Sequence, residues 1–163
     1  MSVNQTENNF AFIDSQNLNL SVIAQGWKIS WARFRQYLKD KYSVSKAFLC
    51  IGFVATNQSM YTSLQQKGYI LIFKPTLRLP NGKVKGNVDS EMLLHTMLEY
   101  SNYDNAVIVA GDGDYHCLIK YLKQQGKLKK LIIPDRYHYS SLLREFVPDM
   151  SFINDLRKKL EYK

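Results

Sequence analysis

Short apolar runs alternate with segments of helical spacing along this chain, and that alternation restricts the folds open to it. "NFAFID" (9–14), "KAFLCIGFV" (46–54), "YILIF" (69–73), "NAVIVAG" (105–111) and "KLIIP" (130–134) are short and almost uniformly apolar, and read as buried strands. Between them, "ISWARFRQYLKDKY" (29–42) carries Ile29, Phe34, Tyr37, Leu38 and Tyr42 at near-helical spacing, with Ser30 as its N-cap. "NQSMYTSLQQKG" (57–68) reads as a helix capped by Thr56 or Asn57 and closed by Gly68. "VDSEMLLHTMLEYS" (88–101), "YHCLIKYLKQQGK" (115–127), "YSSLLREF" (139–146) and "INDLRKKLEY" (153–162) complete the helices, and Phe152 and Ile153 end a short sixth strand. In "KPTLRLPNGKVKGN" (74–87), Asn81-Gly82 after Pro80 signals a turn, so a basic hairpin or loop protrudes there. Strands alternating with helices predict a three-layer α/β/α sandwich around a central, mostly parallel sheet, with strand order about 3-2-1-4-5. At 163 residues one such domain is expected over 9–163, behind a disordered polar tail over 1–8.

Several function classes fall away. No run reaches the roughly 18 apolar residues of a membrane span, and "MSVNQTENN" lacks the basic start and apolar centre of a signal peptide. Only Cys50 and Cys117 occur, both in apolar segments, so free, reduced and buried thiols of a cytoplasmic protein are expected. Twenty-two Lys and Arg against fourteen Asp and Glu give a net charge of +8, which favours a polyanionic partner such as nucleic acid. There is no G-x-S-x-G elbow, no Walker lysine loop and no G-x-G-x-x-G turn. His95, His116 and His138 have no zinc spacing with the cysteines. Two residues after Asp14 stands Gln16, where an aspartyl phosphatase carries a second aspartate.

The carboxylates supply a candidate site. Open α/β sheets bind ligands at the carboxyl ends of their strands, where the strand order reverses. Asp14 ends the first strand, and Asp112 and Asp114 follow the fourth, which the expected order makes its neighbour. Local explanations exist for three acids. Asp14 and Asn17 suit a turn after a strand. Asp114 suits the N-cap of the helix beginning at Tyr115, and Asp89 an N-cap that lets Val88 staple to Leu93. Asp112 has no such local role and adds like charge to its turn, which a cation would relieve. Oxygen-only donors at these positions point to Mg²⁺ or Mn²⁺.

"FIDSQN", "KGNVDSEM" and "VIVAGDGDY", in that order, resemble the NYN domain family of PIN-like ribonuclease domains, over about residues 9 to 153. The resemblance implies a PIN-like sandwich and a metal-dependent site acting on RNA. It places the family's strand-one aspartate on Asp14, its nearby asparagine on Asn17, its helix-start aspartate on Asp89, and the paired aspartates of its S-G-D-x-D-F segment on Asp112 and Asp114. Lys85 and Gly86 match its Lys-Gly. Ala110 replaces a small hydroxyl residue, Tyr115 a phenylalanine, and His95 a further acid found in many members. His95 lies six residues beyond Asp89 and so faces elsewhere on the helix.

The expected chemistry is phosphodiester hydrolysis, with Asp14, Asp89, Asp112 and Asp114 holding one or two Mg²⁺ or Mn²⁺ and Asn17 orienting a water or phosphate oxygen. Ser15 and His116 are supporting candidates. RNA contacts are expected from Lys74, Arg78, Lys83, Lys85 and Arg136, with Tyr137 or Tyr139 stacking a base. Core packing is the alternative for one of the two tyrosines, and burial is expected for Cys117. Two other functional readings fit the same residues: an RNA-binding or regulatory NYN module of weak or no activity, and a metal-dependent phosphatase. Self-association into a homo-oligomer is compatible with all of them.

Overall fold

Strand β1 (Asn9–Asp14) lies inside a six-stranded sheet whose pairings are all parallel. The structure is a computed structural model and describes residues 6–75, 77–82, 84–85 and 89–163. The chain adds β2 (Val44–Phe53) and β3 (Tyr69–Pro75) to one side of β1, then returns to add β6 (Ala106–Val109), β7 (Leu128–Ile133) and β8 (Met150–Phe152) on the other, in the order β3-β2-β1-β6-β7-β8. The expected sandwich is therefore present, and the short sixth strand extends its edge. Two further strands, β4 (Leu77–Arg78) and β5 (Val84–Lys85), form the antiparallel basic hairpin. Its turn carries a Gly82 N–H to Leu79 carbonyl bond of 2.9 Å. Pro80 and Asn81 are thus its central pair, in place of Asn81-Gly82, because the fixed φ of proline suits the second turn position.

Alternate residues of the sheet feed two cores. Phe10, Phe12, Phe48, Ala106 and Ile108 face the layer of α4 (Asp89–Leu98) and α5 (His116–Gln124), with Met92, Leu118, Ile119 and Leu122 packed on them. Ala11, Ile13, Leu49, Val107 and Val109 face the other layer. There α1 (Ser15–Ala24), α2 (Trp31–Tyr42), α3 (Gln58–Gln66) and α6 (Arg157–Leu160) supply Leu18, Val22, Phe34, Leu38, Leu64 and Leu160. The central strands are buried on both faces, which is why they read as unbroken apolar runs. Burial of one such side chain contributes about 1.5–3 kcal/mol. Ser30 caps α2, accepting the Arg33 N–H at 3.3 Å.

Three elements differ from expectation. Helix α1 begins directly after β1, where a turn was expected. The segment 139–146, expected as a short helix, is a 3-10 helix over Ser141–Asp149, opened by Ser140, whose Oγ accepts the Leu142 N–H at 3.3 Å. The last helix starts as a 3-10 turn (Ile153–Leu156) before α6. Among the described residues no helix is long and apolar enough to cross a membrane.

Candidate metal centre

The register of β1 against β6 sets Ile13 opposite Val109. Both strands end within a residue, so Asp14 and the turn from Ala110 to Asp114 begin side by side at the carboxyl edge. Asp14 caps α1, its Oδ1 accepting the Asn17 N–H at 3.1 Å. Asn17 returns the link, its Oδ1 accepting the Gly111 N–H at 2.8 Å. The local polar bonding expected of Asp14 is thus real, and it ties α1 to the turn after β6.

The turn itself is built differently from the sequence reading. Asp112, for which no structural role was expected, is the cap: its Oδ1 accepts the Asp114 N–H at 2.9 Å and opens a 3-10 turn over Gly113–Tyr115. Asp114, expected as that cap, is displaced one position into the turn and stands exposed. The 3-10 turn precedes α5 and shifts the helix start beyond Tyr115. Gly113 is required by close approach, since a Cβ there would lie 2.5 Å from Ser140 Oγ.

Asp89, Asp112 and Asp114 come together. One carboxylate oxygen from each lies within 4.8 Å of the others. Asp89 is buried in the first turn of α4, Asp112 is half-buried and Asp114 is exposed, so the group opens to solvent on one side. A Mg²⁺ ion with oxygens at about 2.1 Å would separate neighbouring ligands by about 3.0 Å, so a small closure of these side chains would let them share one ion. The donor set contains neither sulfur nor imidazole, as a hard cation requires. His95 is half-buried further along α4 and is not part of this group.

Asp14, expected to converge with them, is not one of the three; it is joined to Asp89 through Tyr115. The Tyr115 ring is fully buried, and its hydroxyl lies 2.7 Å from Asp89 Oδ1 and 3.1 Å from Asp14 Oδ2. Burial pushes the Asp14 carboxyl above its usual range; the Asn17 N–H and the Tyr115 hydroxyl oppose this, and the charges of Asp89 and Asp112 add to it. Burial and the Asp14 and Asp89 carboxylates push the Tyr115 phenol up, so its hydroxyl keeps its proton at neutral pH.

The remaining candidates are more scattered. Ser15 is buried at the start of α1 and lines a cleft of about 200 Å³ with Gln16, Trp31, Ile51, Met60 and Leu64, among others. Lys74, at the end of β3, has its Nζ 3.5 Å from Glu91 of α4. Arg78 and Lys85 lie on the hairpin strands, and Lys83 lies outside the described residues, as do Gly86 and Val88. Arg136 is paired with Asp155 and its guanidinium sits 4.8 Å over the Phe152 ring. Tyr137 is 78% exposed, whereas Tyr139 packs on Phe152, and a Cβ added at Gly111 would lie 3.3 Å from its Cβ. His116 is paired with Glu145, which holds the Glu145 carboxyl below its usual range. Cys117, expected buried, is exposed, because α5 turns Leu118, Ile119 and Leu122 inward and leaves residue 117 outside.

Asp135 was not singled out by sequence, and His138 only as a histidine without zinc spacing. Asp135 follows β7 and is buried at 7% exposure. It accepts from the Tyr137 N–H at 3.1 Å and from Asn154 Nδ2 at 3.1 Å, and its Oδ2 lies 2.9 Å from His138 Nδ1. The signal that could have found it is the one that found Asp14 and Asp112, an acid just past a strand's carboxyl end.

A parallel α/β/α sheet with carboxylates gathered at its carboxyl edge is the architecture that the resemblance to PIN-like domains implies. The chain belongs to the NYN domain family, whose model matches residues 10–154. Its fold is also similar to the crystal structure of a protein of unknown function from Vibrio parahaemolyticus, with a TM-score of 0.81 and 18% sequence identity over 99% of this chain and 100% of that one. At that identity the likeness concerns the fold alone. No curated protein shows significant similarity to the chain.

Proposed function

We propose that this protein is a Mg²⁺- or Mn²⁺-dependent ribonuclease. The observation that carries the reading is the convergence of Asp89, Asp112 and Asp114 within 4.8 Å at the sheet's carboxyl edge, with Asp14 linked to Asp89 through the Tyr115 hydroxyl. These three would hold the cation, and Asp14 would hold it either directly or through water. When bound, the cation supplies a water-derived nucleophile and offsets charge on the phosphoryl oxygens. Asn17 fixes the Gly111 turn and so the spacing of Asp112 from Asp14.

RNA as substrate is supported by the family and by the net charge of +8. Lys74, beside Glu91 in the first turn of α4, would meet phosphates, as would the basic residues of the hairpin. Tyr137 offers an exposed ring for a base, and the Trp31 cleft beside Ser15 offers another aromatic surface. For Arg136 to reach a phosphate, its pairing with Asp155 must open.

The test is incubation of labelled single-stranded RNA with the protein and Mn²⁺, beside an Asp112→Asn variant. Metal-dependent cleavage that the variant loses supports the reading. Tight RNA binding without turnover under any divalent metal would make the protein an RNA-binding module. Turnover of a nucleotide monophosphate but not of RNA would make it a phosphatase.

A further inference from the structure

We infer that Tyr115 is a positioning residue of the metal centre, its one hydroxyl acting as a brace between two carboxylates that would otherwise repel. The inference rests on the metal-centre reading above and adds a residue whose ring is fully buried and has no route to substrate.

The geometry carries it. A phenol has one proton to donate, and two carboxylate oxygens from different parts of the chain lie within hydrogen-bond distance of it, Asp89 Oδ1 at 2.7 Å and Asp14 Oδ2 at 3.1 Å. The shorter contact makes Asp89 the main acceptor. The other oxygen of Asp14 is already fixed by the Asn17 N–H. Both carboxylates are nearly enclosed, at 5% exposure for Asp14 and 7% for Asp89, so water cannot readily replace the hydroxyl. The Tyr115 ring is locked in the core shared by Phe12, Met92 and Leu118, so the brace is rigid. Asp89 would therefore present itself to Asp112 and Asp114 already oriented. Groups that orient metal ligands in this way typically set metal affinity by about 10- to 100-fold.

The hydroxyl also has no role in filling the core. A phenylalanine would keep the ring packing and lose only the brace. A comparison exists within the molecule: Tyr103 is likewise buried, and its hydroxyl donates to the Thr96 carbonyl at 2.9 Å, away from the acids.

The experiment is calorimetric titration of Mn²⁺ into the full chain as wild type, Tyr115→Phe, Tyr103→Phe and Asp112→Asn. Tyr115→Phe is expected to bind Mn²⁺ about ten-fold more weakly while keeping its secondary structure. Tyr103→Phe, which also loses a buried hydroxyl, is expected to bind as wild type does. Equal affinity in Tyr115→Phe and wild type would overturn the inference, as would an equal loss in Tyr103→Phe. A wild type that binds no Mn²⁺ would overturn the metal-centre reading and the brace with it. If Tyr115→Phe does not fold, the wild type answers by proton NMR. A slowly exchanging hydroxyl signal that moves when Mg²⁺ is added supports the brace, and a signal that is absent or indifferent to Mg²⁺ overturns it.

Discussion

Asn17 and Gly111 are 94 residues apart in the chain and joined at 2.8 Å, side-chain oxygen to backbone N–H. The bond links the helix that Asp14 caps to the turn that carries Asp112. Gly111 is buried, so its N–H has no ready substitute partner. Replacing Asn17 by alanine should cost about 1–3 kcal/mol, the penalty of a buried donor left unmade. Urea denaturation of the metal-free protein measures it. A cost near zero would mean that the turn holds itself.

Asp112 has two roles that substitution can separate. Asparagine keeps the oxygen that caps the 3-10 turn and removes a charge beside two other acids. Alanine removes both. Without metal, Asp112→Asn should be at least as stable as wild type, and Asp112→Ala about 1 kcal/mol less stable than Asp112→Asn. Both should lose most of the thermal stabilisation that Mn²⁺ gives the wild type. Thermal melts with and without Mn²⁺ decide it, and an Asp112→Asn protein stabilised as fully as wild type would exclude Asp112 as a ligand.

Gly113 lies under Ser140, with 2.5 Å between an added Cβ and the serine Oγ. Gly113→Ala should destabilise by about 1–3 kcal/mol through that overlap. The double variant with Ser140→Ala should recover part of the loss, because the nearest atom is then gone. No recovery in the urea midpoint would place the strain in the turn's backbone.

Asp135 supplies a pH dependence. Burial raises its carboxyl, but the bonds from His138, the Tyr137 N–H and Asn154 outweigh burial and leave it below the usual range. A carboxylate whose folded value is depressed contributes stability above its unfolded value, about 3.9, and loses it as pH falls through the folded value. Asp135→Asn should thus be less stable than wild type at neutral pH, with the gap closing as pH falls below about 4. His138 is 83% exposed, so screening makes its share of the effect small. Thermal midpoints measured across that range would contradict this if the gap stayed constant.

Much of the fold could be read from the chain. The central strands are buried on both faces, and burial leaves an apolar run that no surface element imitates. Helix α1 could not be read this way. In "SQNLNLSVIA" the apolar residues 18, 20 and 22 alternate as in a strand, and Leu20 and Ile23 remain exposed at 57% and 52%. The helical face is only Leu18 and Val22, too narrow to announce itself. At the site, the acids were legible because each follows a strand or opens a helix. Which acid caps the turn was not, since one extra 3-10 turn moves the helix start by a residue. The Asn17–Gly111 bond and the Tyr115 brace join residues 94 and up to 101 positions apart, and no local pattern encodes such a meeting.

The most direct test of the metal centre is an anomalous difference map from crystals soaked in Mn²⁺ and recorded at the manganese edge. The account predicts a peak within bonding distance of carboxylate oxygens from Asp89, Asp112 and Asp114, with the Tyr115 hydroxyl still against Asp89. A map without a peak there at saturating Mn²⁺, with the three carboxylates as far apart as before, would contradict it.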